Sequence, residues 1–240
     1  MLLLIAASPV ETRILRRHLA EPRFLEFSCH RILSARCSEH DLVLAHCGIG
    51  PVNMALQLTR LLSRFDPETV LLFGCGGSYP DSGLTIGDLA LARQESHGDL
   101  GVQSETEFIP LGDLKLPEEA DFAPPIRQTL FLDDTLYHWA QRLLPDCTGG
   151  PFVTVSCCSG TPAYSQTLQQ RWGGICENME GAAAAQVCAE FAVPLLELRG
   201  ISNPTGTREA SQWNIAAGAA AAEHGILELL KHDLPQRKGS

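Results

Sequence analysis

The chain has 240 residues, 45% of them apolar and 19% charged, with a formal net charge of −10. That balance belongs to a globular protein with one sizeable core and excludes a disordered chain. The acidity excludes wholesale binding to a nucleic-acid backbone, which needs clustered Lys and Arg.

Short apolar runs alternate with helix-period segments, the pattern of an α/β sheet carrying helices on its faces. The opening "MLLLIAAS" has no basic segment before it and is followed at once by a charged amphipathic stretch. It reads as a first strand, Leu2 to Ala7, and not as a signal peptide. A helix is expected over Glu11 to Leu19, a strand over Leu42 to Cys47, a helix over Val52 to Ser63, and strands over Val70 to Cys75 and Leu89 to Arg93. The stretch from Gly98 to Asp134 is acidic, Pro-rich ("LPEEADFAPPIRQ") and without a period, and reads as a surface excursion or lid. Beyond it come a helix over Thr135 to Leu144, a strand over Phe152 to Ser156 and a helix over Tyr164 to Trp172. A helix over Glu180 to Phe191, a strand over Leu195 to Ser202 and a helix over Ser211 to Lys231 complete the series. The expectation is one domain over 1–231 and a polar tail over 232–240.

Nine cysteines are odd in number, spread from Cys29 to Cys188, and several sit in apolar strand-like runs. They read as reduced thiols in the cytoplasm. No C-x-x-C spacing occurs, and the adjacent Cys157 and Cys158 would point to opposite sides of a strand, so no metal site is expected. No apolar run is long enough to span a bilayer.

Three Gly-bearing turns follow strands: "HCGIGPVN", "FGCGGSYPDSG" and "LRGISNPTG". Ligands in open α/β sheets collect at the carboxyl ends of strands, where Gly lets backbone approach them. Each turn taken alone reads better as a plain tight turn. None is a dinucleotide fingerprint or a P-loop, because the third Gly and the Gly-Lys-Ser/Thr are missing. Glu180, in "ENMEGAAAA", stands where a strand turns into a helix. There it serves either as a helix-start charge favoured by the dipole or as an acceptor for two neighbouring hydroxyls, as in a ribose diol.

"CGIGPVNMA", "GCGGSYPDSGLTIGDLALA", "ENMEGAAAA" and "RGISNPTG" resemble, in order and spacing, the nucleoside phosphorylase and nucleosidase superfamily, and its 5′-methylthioadenosine/S-adenosylhomocysteine nucleosidase branch in particular. "NMEGAAAA", "RGISN" and "DLGVQSETEFIPLGDL" are most similar to the futalosine hydrolases within it. The superfamily likeness covers nearly the whole chain apart from the excursion and the tail. It implies a three-layer α/β/α fold around a central mixed twisted sheet. It implies hydrolysis of a purine nucleoside by water, with no metal or organic cofactor, in a homo-oligomer of two or more subunits whose neighbour closes the sugar's 5′ side.

By the same resemblance Glu180 holds the ribose hydroxyls and Met179 packs on the sugar. Glu11 activates the attacking water, and Arg199 orients water and glutamates. Cys75, Gly76 and Gly77 line base and ribose with their backbone, Ser202 of "RGISN" joins them, and Trp213 walls the base. On the residues alone Glu11 is an ordinary helix-start acid, Arg199 a strand-end charge and Trp213 a half-buried core aromatic. Asn203 departs from the adenine-specific branch, which has Asp there. An amide cannot protonate purine N7, but it can both donate to and accept from a 6-oxopurine, so hypoxanthine is the expected leaving base. A turn Asn before Pro204 is the plainer alternative. "SPVE" after the first strand puts an acid where a phosphorylase would hold phosphate, which favours water as the nucleophile, although Ser8 and Arg13 stand nearby. Arg208 or the excursion is expected to meet the sugar's 5′ substituent. The alternatives are another purine nucleosidase of the methylthioadenosine type, a nucleoside phosphorylase, and a non-catalytic nucleoside-binding protein.

Overall fold

The structure, a computed structural model, describes residues 1–27, 30–114 and 127–235. In chain order its elements are β1 (Leu2–Ala6), β2 (Ala20–Phe27), β3 (His30–Cys37), β4 (His40–His46), α1 (Pro51–Phe65), β5 (Thr69–Ser78) and β6 (Leu89–His97). There follow β7 (Gly101–Gln103), β8 (Phe108–Pro110), β9 (Thr129–Phe131), α2 (Asp134–Leu143), β10 (Thr148–Thr154) and α3 (Pro162–Trp172). The chain then forms β11 (Cys176–Asn178), α4 (Gly181–Glu190), β12 (Leu195–Pro204) and α5 (Ile215–Leu229).

The main sheet runs β11-β10-β6-β12-β5-β1-β4-β3-β2, with β9 added beside β6. Its central pairs β1–β4, β1–β5 and β12–β5 are parallel, while β12–β6, β3–β4 and β2–β3 are antiparallel. The sheet is therefore mixed, as expected. β11 also pairs antiparallel with β5, so β5, β12, β6, β10 and β11 close into a small ring at one half of the sheet.

The period of two in β1 shows why both faces are covered. Leu3 and Ile5 enter one core with α1 residues Met54, Leu58, Leu61 and Leu62 and with the alanines of α4. Leu2, Leu4 and Ala6 enter the other with Leu136 and Trp139 of α2 and Ala222, Ile226 and Leu229 of α5. A strand buried on both sides must be apolar throughout, which is what "LLLIA" supplies. The alanines let α4 lie close to the sheet and α1.

Several expectations need correction. Glu11 to Leu19 is not an α-helix but two 3₁₀ turns, Pro9–Thr12 and Leu15–Arg17. The Leu15 N–H, which an α-helix would commit to the carbonyl of Glu11, instead donates to Glu223 Oε2 at 2.6 Å. The hairpin of β2 and β3 has no counterpart in the sequence reading. The last helix begins at Ile215, after a 3₁₀ turn over Ala210–Gln212. β10 stops at Thr154, so Cys157 and Cys158 lie in a loop and not on a strand. The excursion holds the β7–β8 hairpin and β9; its residues 115–126, like tail residues 236–240, lie outside the described residues. Among the described residues no helix is long and apolar enough to cross a membrane, no group of acids, His and Cys could hold a metal ion, and the cysteines are free thiols.

Candidate active site

The carboxyl ends of β1, β5, β11 and β12 converge on a cavity of about 290 Å³. Glu11, Cys75, Gly76, Gly77, Met179, Glu180, Arg199, Ser202, Asn203 and Trp213 all line it, so the residues expected around water, base and ribose are brought together. A larger hollow of about 760 Å³ opens at the other end of the sheet, around Leu2, Thr69 and Leu195. Its walls are mainly aliphatic, and the buried carboxylates and guanidinium are absent from it. Buried charged groups are gathered in the smaller cavity.

Each side chain is placed by a local feature of the chain. The turn after β1 carries Glu11 back over β5, where it is 6% exposed. Its Oε1 accepts from Cys75 N at 2.9 Å, and its Oε2 accepts from Ser8 N at 2.8 Å and Ser8 Oγ at 3.0 Å. Gly74 makes room for it, since a methyl group there would press on the Glu11 carboxyl. On β12, register slips against β5 between Ile201 and Asn203. That bulge breaks the alternation and lets both Ser202 and Asn203 face the cavity.

Glu180, 3% exposed, precedes α4 but does not cap it. Its Oε1 accepts from Gly50 N at 3.0 Å and its Oε2 from Arg199 at 3.1 Å. Gly50, at φ 99°, occupies a conformation that favours glycine and so turns its N–H toward the acid. The true cap is Asn178, whose Oδ1 accepts from Glu180 N at 2.9 Å and Gly181 N at 2.7 Å. The helix-start role therefore falls to the amide, and the carboxylate of Glu180 is free to serve the cavity.

Arg199 is 1% exposed and its donors are committed. Nε donates to Glu197 at 2.8 Å, and one amino group donates to Glu180 and to Cys75 O at 3.2 Å. Burial opposes its charge, but Glu197, Glu180 and Glu11 outweigh burial and hold its pKa above the ordinary value. Burial, with Glu11 nearby, pushes the Cys75 thiol up to about 12, so it is neutral and not a nucleophile. Asn203 accepts through Oδ1 from Ser202 Oγ at 2.8 Å and donates through Nδ2 to Pro204 O at 2.9 Å. One Nδ2 hydrogen and one lone pair of Oδ1 are left over.

Sequence reasoning missed several lining residues. Glu177 is buried on the wall and accepts from Ser159 N at 2.9 Å, from Ser159 Oγ and from Tyr79 OH at 3.1 Å. Burial raises its pKa, against those three hydrogen bonds. Cys158, in the same loop, lies 3.4 Å from the Met179 sulfur. The signal for Asn178 was present, an Asn just ahead of a helical run; loop residues 158 and 159 carried none.

The lining holds three carboxylates, Glu11, Glu177 and Glu180, against Arg199 as its cation. Arg13 is exposed and takes no part in the lining. A phosphate dianion placed here would meet like charge and one guanidinium already engaged by two acids. Water faces no such barrier. Arg208 is exposed, with its guanidinium 4.7 Å from the Trp213 ring centre, beside the cavity mouth. No described residue of the excursion lines the cavity.

The chain is 33% identical over 191 residues to the futalosine hydrolase of Thermus thermophilus, covering 80% of this chain and 82% of that one. It is 27% identical to the 5′-methylthioadenosine/S-adenosylhomocysteine nucleosidase of Tolumonas auensis, covering 95% and 97%. A solved structure of a Helicobacter pylori futalosine hydrolase mutant superposes with a TM-score of 0.82 at 20% identity, covering 95% of this chain and 97% of the other. The sequence pattern of the phosphorylase superfamily matches residues 2–231, and the chain belongs to that family.

Proposed function

We propose that the protein hydrolyses the N-glycosidic bond of futalosine, releasing hypoxanthine and dehypoxanthine futalosine in the alternative menaquinone route. The coarser activity is N-glycosyl hydrolysis of purine nucleosides, as in its relatives. In this reading Glu11, fixed by Ser8 and Cys75 N, takes a proton from water, and Glu180 accepts hydrogen bonds from the ribose hydroxyls. The glycosidic bond lengthens toward an oxocarbenium-like state, and Met179 covers the sugar. A positioned base contributes typically ~10²- to 10⁴-fold. Asn203 offers its spare hydrogen and lone pair to the purine as negative charge develops on it. Arg208, beside the mouth, would receive a carboxylate at the 5′ end.

The observation that carries the choice of base is Asn203, an amide on the cavity wall, oriented by Ser202 and unable to supply a proton at neutral pH. Methylthioadenosine-type substrates remain a second reading, favoured by the nucleosidase relatives that match nearly the full chain. Incubating the protein with futalosine, inosine and methylthioadenosine in phosphate-free buffer, and following free base, separates the readings. Release from inosine only when phosphate is added, with ribose 1-phosphate as product, would select a phosphorylase, and tight binding without turnover a binding protein. Val10 and Ile49 line the cavity yet are exposed, and Val52 and Leu56 continue an apolar strip along α1. A second copy of the chain would cover that strip and close the 5′ side. The free thiols fit a cytoplasmic setting.

A further inference from the structure

Behind the Glu180–Arg199 pair lie two more acids, Glu95 on β6 and Glu197 on β12, both 0% exposed and neither lining the cavity. Glu95 Oε1 accepts from Asn178 Nδ2 at 2.5 Å and Oε2 from Thr154 Oγ1 at 2.8 Å. Glu197 Oε1 accepts from Arg199 Nε at 2.8 Å. Its Oε2 is buried and has no N–H donor or hydroxyl partner among the described residues. What stands beside Glu197 Oε2 is the carboxyl of Glu95. The two meet beneath the first residue of α4: a methyl group on Gly181 would collide with Glu95 Oε1 and stand 2.6 Å from Glu197 Oε2.

Two carboxylates sealed from water at such range cannot both be charged, and a buried carboxylate oxygen without a donor is costly. One proton resolves both difficulties. Burial, then the charge of Glu197, pushes Glu95 well above the usual carboxylate range. Burial raises Glu197 too, but there the guanidinium of Arg199 is in direct contact and opposes it. Among the described residues, further ionisable groups near the pair include Glu180, the buried thiol of Cys176 and the buried phenol of Tyr79; burial keeps the last two neutral. The start of α4, Gly181 to Ala185, contributes no ionisable side chain, and Asn178 and Thr154 are neutral.

We infer that Glu95 carries the proton and donates it to Glu197 Oε2, leaving Glu197 as the anion that holds Arg199 by Nε and so aims its other edge at Glu180. Glu95 and Glu197 are thus positioning residues for the clamp. This assignment goes beyond the reaction proposed above, and only its kinetic arm rests on Glu180 gripping the sugar.

Glu95→Gln imitates the protonated acid, whereas Glu197→Gln puts the neutral group on the wrong partner. Three readouts follow. At neutral pH the infrared difference between wild type and E95Q is expected to show a carboxylic-acid C=O band that the variant lacks. The wild-type native state keeps a proton that the unfolded chain releases above about pH 4.3. Its Tm therefore declines relative to that of E95Q as pH rises from about 4 toward neutrality. Finally, E197Q is expected to raise KM for the nucleoside by on the order of tenfold more than E95Q, with a smaller change in kcat. Absence of the acid band, or parallel Tm curves, overturns the shared proton. A larger KM defect in E95Q than in E197Q overturns its location. Should E197Q fail to fold, the spectrum and melting curves of E95Q still decide the matter. A wild type that turns over no nucleoside would sink the reaction proposed above while leaving those two arms intact.

Discussion

Gly74→Ala tests whether the placement of Glu11 matters for catalysis. Gly74 lies in β5 beneath the Glu11 carboxyl, and its φ requires no glycine. A Cβ built there stands 3.0 Å from Glu11 Cδ and closer still to Oε1, whereas ordinary contact begins at 3.4 Å. The obstacle is the end of a flexible side chain and not backbone, so the strand survives and the carboxylate swings away. The oxygen has to retreat by roughly 1 Å, and a misplacement of that size costs about 10²-fold in rate. The same swing breaks the bond from Cys75 N to Oε1, a charge-assisted hydrogen bond contributing about 1.5–3 kcal/mol. Part of that is recovered by water from the cavity, so the loss of stability is at the lower end. The assay is single-turnover base release, paired with thermal melting and with calorimetric titration of the purine base. The expected result is a folded protein that binds base normally and turns over about a hundredfold more slowly. Wild-type kcat in G74A would refute the role of Glu11 and its placement.

Other outcomes follow from the same geometry. Glu11→Gln is expected to retain nucleoside binding while kcat falls by ~10²- to 10⁴-fold, read by pre-steady-state kinetics with a binding isotherm. Asn203→Asp introduces an acid that can protonate purine N7, so the ratio of adenine to hypoxanthine release from paired nucleosides should rise; an unchanged ratio would remove Asn203 from base selection. Ser202→Ala frees Oδ1 of Asn203 and should cost about 1 kcal/mol of transition-state stabilisation, roughly fivefold in kcat/KM. Asn178→Ala strips the cap from α4 and also removes the Nδ2 donor to buried Glu95, so it should lower stability by more than the ~1–2 kcal/mol of a cap alone in urea unfolding. Iodoacetamide at about pH 8 should label exposed Cys157 and spare Cys47 and Cys75, whose thiols burial pushes up to about 12, as peptide mapping would show.

What the sequence made legible was what local patterns encode. β1 and β5 are apolar on both faces because both faces are covered, and such runs stand out in any reading. The motif residues could be placed because strand ends and Gly-bearing turns mark the rim of an α/β sheet. The β2–β3 hairpin escaped notice because β2 is nearly all exposed, so "AEPRFLEF" lacks the apolar alternation that burial imposes. Glu11 to Leu19 has a helical period, yet a long-range acceptor, Glu223, claims the amide of Leu15. The same limit applies in the site. Glu180 looked like a helix-start charge until Asn178 proved to hold the helix and Arg199 the acid. Glu95 and Glu197 read as ordinary polar positions in two strands far apart in sequence, and only the closing of the sheet brings them together without water. Long-range pairing of buried charge has no local signature.

The most direct test of the central claim is the identity of the base set free in phosphate-free buffer when futalosine and methylthioadenosine are supplied together. Hypoxanthine should appear at a rate that far exceeds that of adenine. Adenine alone, with futalosine left intact, would contradict the account.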